Sequence, residues 1–170
     1  MVTRQTGHVP TRVHARFRIH ALPVETFAHL FPLDDANLKH KGARRVVAHR
    51  SPGFPCRVSL EDAEPGEALL LVQHTHHDVD SPYRASGAVF VRETAAECTP
   101  AIDEIPPMLQ HRLLSLRGYG AQGRDLHRAE VVEATGLATT IAAMFEDDDI
   151  DYLHIHIARP GCYAARVTRA

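Results

Sequence analysis

The sequence is short of the features that announce a function by themselves. Its cysteines, Cys56, Cys98 and Cys162, number three in a chain of 170 residues, an odd count that suits thiols and excludes a disulfide framework. No apolar run approaches the roughly 20 residues that a membrane-spanning helix needs, so no membrane partner is expected. Met1 to Pro10 lack the apolar stretch of a secretory signal, which makes the cytoplasm the expected compartment. There is no internal repeat, no low-complexity segment and no linker. Gly118, Gly120 and Gly123 are not followed by the lysine of a phosphate loop. The acidic run from Glu146 to Asp149 lacks the alternating ligands, the glycine and the closing glutamate of a calcium loop. The local signatures of Cys/His hydrolases are absent as well.

What remains is an ordinary globular composition, 44% hydrophobic and 24% charged. A chain of this length can bury a core as one domain without disulfides or a structural metal. Charge is unevenly spread: Met1 to Arg50 carry nine Lys or Arg against three acids, and the rest ten against eighteen. A basic N-terminal third could serve nucleic acid. Without interleaved aromatics, zinc-finger spacing or a helix-turn-helix pattern it reads as a solvated face, and nucleic-acid binding is not expected.

Along the chain, residues 1–11 show no apolar periodicity and are expected to be a mobile tail, with residues 12–170 forming the domain. Alternation at Phe17, Ile19 and Ala21 predicts a half-buried strand. Pro23 suits the first turn of a helix with Val24, Phe27, Leu30 and Phe31 on one face. A short helix over 34–41 is ended by Gly42, and a strand follows over 44–49. After the turn chemistry of Pro52, Gly53 and Pro55, the pattern places Cys56, Val58 and Leu60 on one face of a strand and Arg57 and Ser59 on the other. Further strands are expected at 68–72, leading into Gln73 to His77, and at 88–93, 113–117 and 129–133. Gly118, Gly120 and Gly123 should break the chain between the last two. Leu137 to Phe145 has the clearest helical spacing. Residues 152–158 and 162–168 read as a hairpin across Arg159, Pro160 and Gly161. Many strands and few helices without regular βαβ alternation predict an α+β fold, a mainly antiparallel sheet with a few short helices.

Three segments concentrate the reactive side chains: Ser51 to Arg57, Ser81 to Arg84 and His154 to Cys162. Histidines two apart on a strand put both rings on one face roughly 7 Å apart, near enough for two ligands to reach one zinc ion. His74 with His76, and His154 with His156, have that spacing. With thirteen histidines in the chain, such pairs barely exceed chance. The expected cofactor set is therefore empty, with a zinc-dependent enzyme built on His74, His76, His154 and His156 as the alternative. Leu153, Ile155 and Ile157 make the core face of their strand and leave His154 and His156 facing solvent or a cleft. Arg57 and Arg84, with Tyr83, could clamp a carboxylate or phosphate through the fixed fork of guanidinium donors. The competing reading pairs these arginines with Glu61, Asp62 or Asp78. Cys56 shares the face of Val58 and Leu60 and so reads as a buried hydrophobe, whereas Cys162 follows a turn and reads as the more reactive thiol.

The runs Pro-Gly-Phe-Pro-Cys-Arg-Val-Ser-Leu-Glu-Asp-Ala from Pro52, Ser-Pro-Tyr-Arg-Ala-Ser from Ser81 and Gly-Cys-Tyr-Ala-Ala-Arg from Gly161 resemble the small bacterial family catalogued as domain of unknown function 1203, over a stretch from about Phe17 to the C-terminus. The resemblance implies no activity. It marks Cys56, Arg57, His76, Tyr83, Arg84, His156, Gly161 and Cys162 as matching the family pattern, while Ile157, His74 and His77 depart from it. The functional expectation is a site for a small anionic molecule formed by Arg57, His76, Tyr83, Arg84 and His156, with a protein-interaction module as a third possibility.

Overall fold

The computed structural model describes residues 15–170; the expected N-terminal tail, residues 1–11, lies outside them. It contains a five-stranded and a three-stranded sheet, both antiparallel, and a few short helices, which bears out the α+β expectation. The larger sheet has the order β1-β8-β7-β5-β6, with β1 at Phe17–His20, β5 at Leu113–Tyr119, β6 at Leu126–Glu133, β7 at Tyr152–Ile157 and β8 at Tyr163–Arg169. The smaller has the order β2-β3-β4, with β2 at Ala43–Val47, β3 at Ala68–His77 and β4 at Ala85–Arg92. No helix among the described residues is long and apolar enough to cross a membrane.

Each sheet is placed by its apolar face. Leu114, Leu116, Leu153, Ile155, Ala165 and Val167 turn one side of the larger sheet toward Ile141, Met144 and Phe145 around helix α3 (Leu137–Met144). Leu70, Val72, Val89 and Val91 of the smaller sheet pack with Phe27 of α1 (Glu25–Ala28) and Leu38 of α2 (Asp35–His40). Helix α2 starts where the Asp34 side chain accepts from the Asn37 N–H at 2.8 Å, the ordinary N-cap bond. It stops at Gly42, whose φ of 67° lies where a side chain is disfavoured.

Two sequence expectations need correction. Gly118 does not break the chain: β5 runs through it to Tyr119, and only residues 120–125 turn. Residues 56–60 are not a strand. The Leu60 N–H donates to the Cys56 carbonyl at 3.1 Å and Leu60 has a φ of 54°, so the segment coils back on itself between the isolated bridges Pro55 to Asp62 and Cys56 to Phe90. A coiled segment has no two faces, and Arg57 is buried along with Cys56, Val58 and Leu60. Its guanidinium enters the interior from the turn and donates from Nε to the Tyr163 carbonyl at 2.8 Å, and from Nη1 to the Pro55 carbonyl. That arginine ties the 56–60 turn to β8.

Candidate functional site: a buried ring and guanidinium cluster

The larger sheet's second face is polar over β5, β7, β8 and β1. Register sets Arg117 of β5, His154 of β7, Arg166 of β8 and His20 of β1 side by side in one row. The next row holds Tyr119, Tyr152 and Thr168. On the other flank, Ser115 pairs with His156 and His156 with Tyr163. This last pairing depends on a register shift beyond Ile155, which leaves Ala164 unpaired and brings Tyr163 onto the histidine side. Paired residues in antiparallel strands share a face, so hydrogen-bond register alone assembles this surface.

The distal end of β3 meets that surface. His76 stacks on Tyr163 with ring centroids 4.8 Å apart and planes 18° apart. It lies 5.3 Å from the His156 ring and 6.1 Å from the His154 ring. His77 stands 4.3 Å from Tyr119 and 4.8 Å from His154. Tyr83, at the rim, reaches Tyr119 at 6.2 Å. All four tyrosines of the chain are thus drawn into one connected group with four of its histidines. The loop after β5 closes over it at Gly123, where φ is 63° and a Cβ would collide with the Tyr152 hydroxyl.

Burial controls the protonation of these groups. His154 is 3% exposed and His156 2%. Removal from water pushes the His156 pKa down to about 4, against the raising effect of its hydrogen bond to Gly161 and helped by Arg117, His77 and Arg57. Burial likewise lowers His76 to about 4, with His156 the next cause, and lowers His154 furthest of the three, with His77 the next. All three are neutral at pH 7. Burial also raises Tyr163, keeping its phenol protonated. Arg57, 2% exposed, is lowered to about 10 by burial, yet a guanidinium at that value still carries its full charge at neutral pH.

No ion pair among the described residues offsets the positive charge here, although Asp62 is near enough to act on Arg57. Among the described residues, the ion pairs include Arg84 with Asp78, Arg92 with Glu61 and Glu67, and Arg112 with Asp62, and none involves Arg57, Arg117 or Arg166. The carboxylates considered as partners for Arg57 are taken by other arginines. Arg117 acts electrostatically on His76, His156 and Tyr119, and the Arg166 guanidinium carbon lies 4.1 Å over the Tyr152 ring.

Of the residues singled out in the sequence, Arg57, His76, His154 and His156 therefore meet. His74 points elsewhere, its ring 5.5 Å from Phe27. Tyr83 is a rim residue, and Arg84 is exposed and ion-paired to Asp78 at 2.8 Å. Cys56 is fully buried, and its sulfur accepts from the Ser59 and Arg92 N–H groups at 3.5 and 3.4 Å. Cys162 is partly exposed and near enough to Arg57 to act on its charge. Sequence reasoning missed His77, Tyr119, Tyr152, Tyr163, Arg117 and Arg166. The polar alternation of β5 and β8 against their apolar faces was the available signal. No three His, Cys, Asp or Glu side chains among the described residues are arranged as a metal-binding group.

Fold and cluster together define an α+β protein with a basic, ring-lined interior between two antiparallel sheets. The chain belongs to the family described as protein of unknown function (DUF1203), whose model matches residues 53–169. That span starts later than the resemblance seen from about Phe17, yet it includes Arg57, all four clustered histidines and all four tyrosines. No curated protein and no solved structure matches this chain.

Proposed function

We propose that the protein binds a small anionic molecule at this cluster. The observation that carries the reading is Arg57, a buried guanidinium bonded to two backbone carbonyls and to no carboxylate among the described residues. A buried charge is costly unless compensated. Neutral carbonyls satisfy its donors without cancelling its charge, and Arg117 and Arg166 add charge of the same sign nearby. An anion entering here would gain from all three, and guanidinium suits oxyanions in particular because its donors form a planar fork. Access is from the side of half-buried His76, Arg117 and Cys162.

The test is a calorimetric titration at low ionic strength with a panel of phosphates and carboxylates. At least one class should bind, and Arg117→Ala, which alters a half-buried side chain, should weaken it about tenfold or more. Arg57→Lys keeps a charge but cannot reproduce the fork, so it should weaken the same ligand. If no member of the panel binds, or if both folded variants retain wild-type affinity, this reading is wrong.

A further inference from the structure

His156 and His77 are built alike on one side and differ on the other. Each places Nδ1 against a backbone carbonyl, His156 at 3.0 Å from Gly161 and His77 at 2.8 Å from Tyr83. A carbonyl only accepts, so Nδ1 carries the hydrogen in both rings. In a neutral imidazole Nε2 is then a bare acceptor. The His77 acceptor is met by the Tyr152 hydroxyl at 2.8 Å. The His156 acceptor is buried with no hydrogen-bond partner among the described residues.

This constrains what can be bound beside Arg57. A fully deprotonated anion offers only acceptors, and its oxygens would face the lone pair of His156 unfavourably. The hydroxyl that answers His77 shows the group His156 calls for, an O–H donor. Resting on the anion-binding reading above, we infer that the ligand of this cluster is a hydrogen phosphate group, whose anionic oxygens meet the guanidinium groups while its P–O–H donates to His156 Nε2. One small centre then supplies acceptors and donor together. Hydrogen phosphate and sulfate are nearly the same size and shape and differ at neutral pH in that proton. A site that presents a buried acceptor rejects the analogue lacking the donor far more strongly than a merely basic patch does.

The experiment titrates the full chain at pH 7 with inorganic phosphate, with sulfate and with glycerol 3-phosphate. Phosphate should bind at least about tenfold more tightly than sulfate. Glycerol 3-phosphate, a monoester that at pH 7 is mostly the dianion without a P–O–H, should bind more weakly than inorganic phosphate, and a monoester that binds more tightly would overturn the inference. In His156→Gln the side-chain amide brings an N–H₂ donor to the same place, so the preference should fall to about threefold or less. Equal affinity for phosphate and sulfate in the wild type would overturn the inference while leaving anion binding intact. A preference unchanged in folded His156→Gln would overturn it too. Failure of every anion to bind would instead remove the reading beneath it. Should His156→Gln not fold, the wild-type comparison still decides.

Discussion

The two faces of the five-stranded sheet use the same backbone ladder for opposite purposes. On one, Leu114, Leu116, Leu153, Ile155 and Val167 pack around α3, an arrangement that gains free energy simply by removing carbon from water. On the other, Tyr119, Tyr152, Tyr163, His154 and His156 are just as thoroughly buried, beside half-buried Arg117 and exposed Arg166, but burial of the histidines costs desolvation and leaves their protonation shifted. The apolar face accounts for stability, and the polar face spends some of it. Such an imbalance within one sheet is what a binding site leaves behind, because stability alone would favour leucine at His154.

The sharpest way to separate the faces is to truncate the apolar one. Leu116→Ala removes a fully buried side chain beside Ile155 and should cost about 2–5 kcal/mol. Nothing on that face titrates, so urea unfolding should give the same loss at pH 7.5 and pH 5.5.

The polar face should respond to pH instead. Unfolded, His154 and His156 titrate near about 6.5; folded, burial holds both far lower, His156 at about 4. The unfolded chain therefore binds more protons throughout that interval. Stability contributed by keeping the rings neutral is complete above about pH 6.5 and is lost as pH falls toward the folded values, by about 1.4 kcal/mol per pH unit for each histidine. His154→Leu should reduce that slope by one histidine's share and become more stable than wild type on the acid side. An unchanged slope in the variant would contradict the assigned burial.

These contrasts were only half legible in the sequence. The period-two patterns at Leu113 to Arg117 and Tyr152 to Thr168 revealed the apolar face and the hairpin, since alternation is a local property. The partners of the polar face were not local. His76 meets His156 only because the end of β3 crosses the larger sheet, and Tyr163 joins them through a register shift that no spacing rule reveals. Arg57 was misplaced for a related reason. Alternation was applied to a segment that coils, and the side chain expected to point away from the core enters it.

A smaller effect distinguishes the two arginines that the sequence placed together. Arg84 and its partner Asp78 are both largely exposed, and exposed pairs contribute about 0–1 kcal/mol. Arg84→Ala should leave both the urea midpoint and phosphate affinity close to wild type, in contrast to Arg57→Lys. A matching loss of affinity in both variants would extend the site out to the Ser81 to Arg84 turn.

The mildest probe uses the thiols, which sample the interior and the rim without changing a residue. Cys56 is fully buried, packed in the core of the smaller sheet and engaged by two backbone N–H groups, so alkylation requires the 56–60 turn to open. Opening it would also break the bonds of Arg57 to Tyr163 and Pro55. Cys162 is partly exposed beside Pro160 and needs no such opening. Native alkylation followed by peptide mapping should label Cys162 well before Cys56. Because Arg57 anchors both the turn and the proposed anion site, bound phosphate should slow Cys56 labelling further, through the opening equilibrium. If Cys56 reacts as fast as Cys162, the turn opens readily and cannot hold Arg57 in a preformed site.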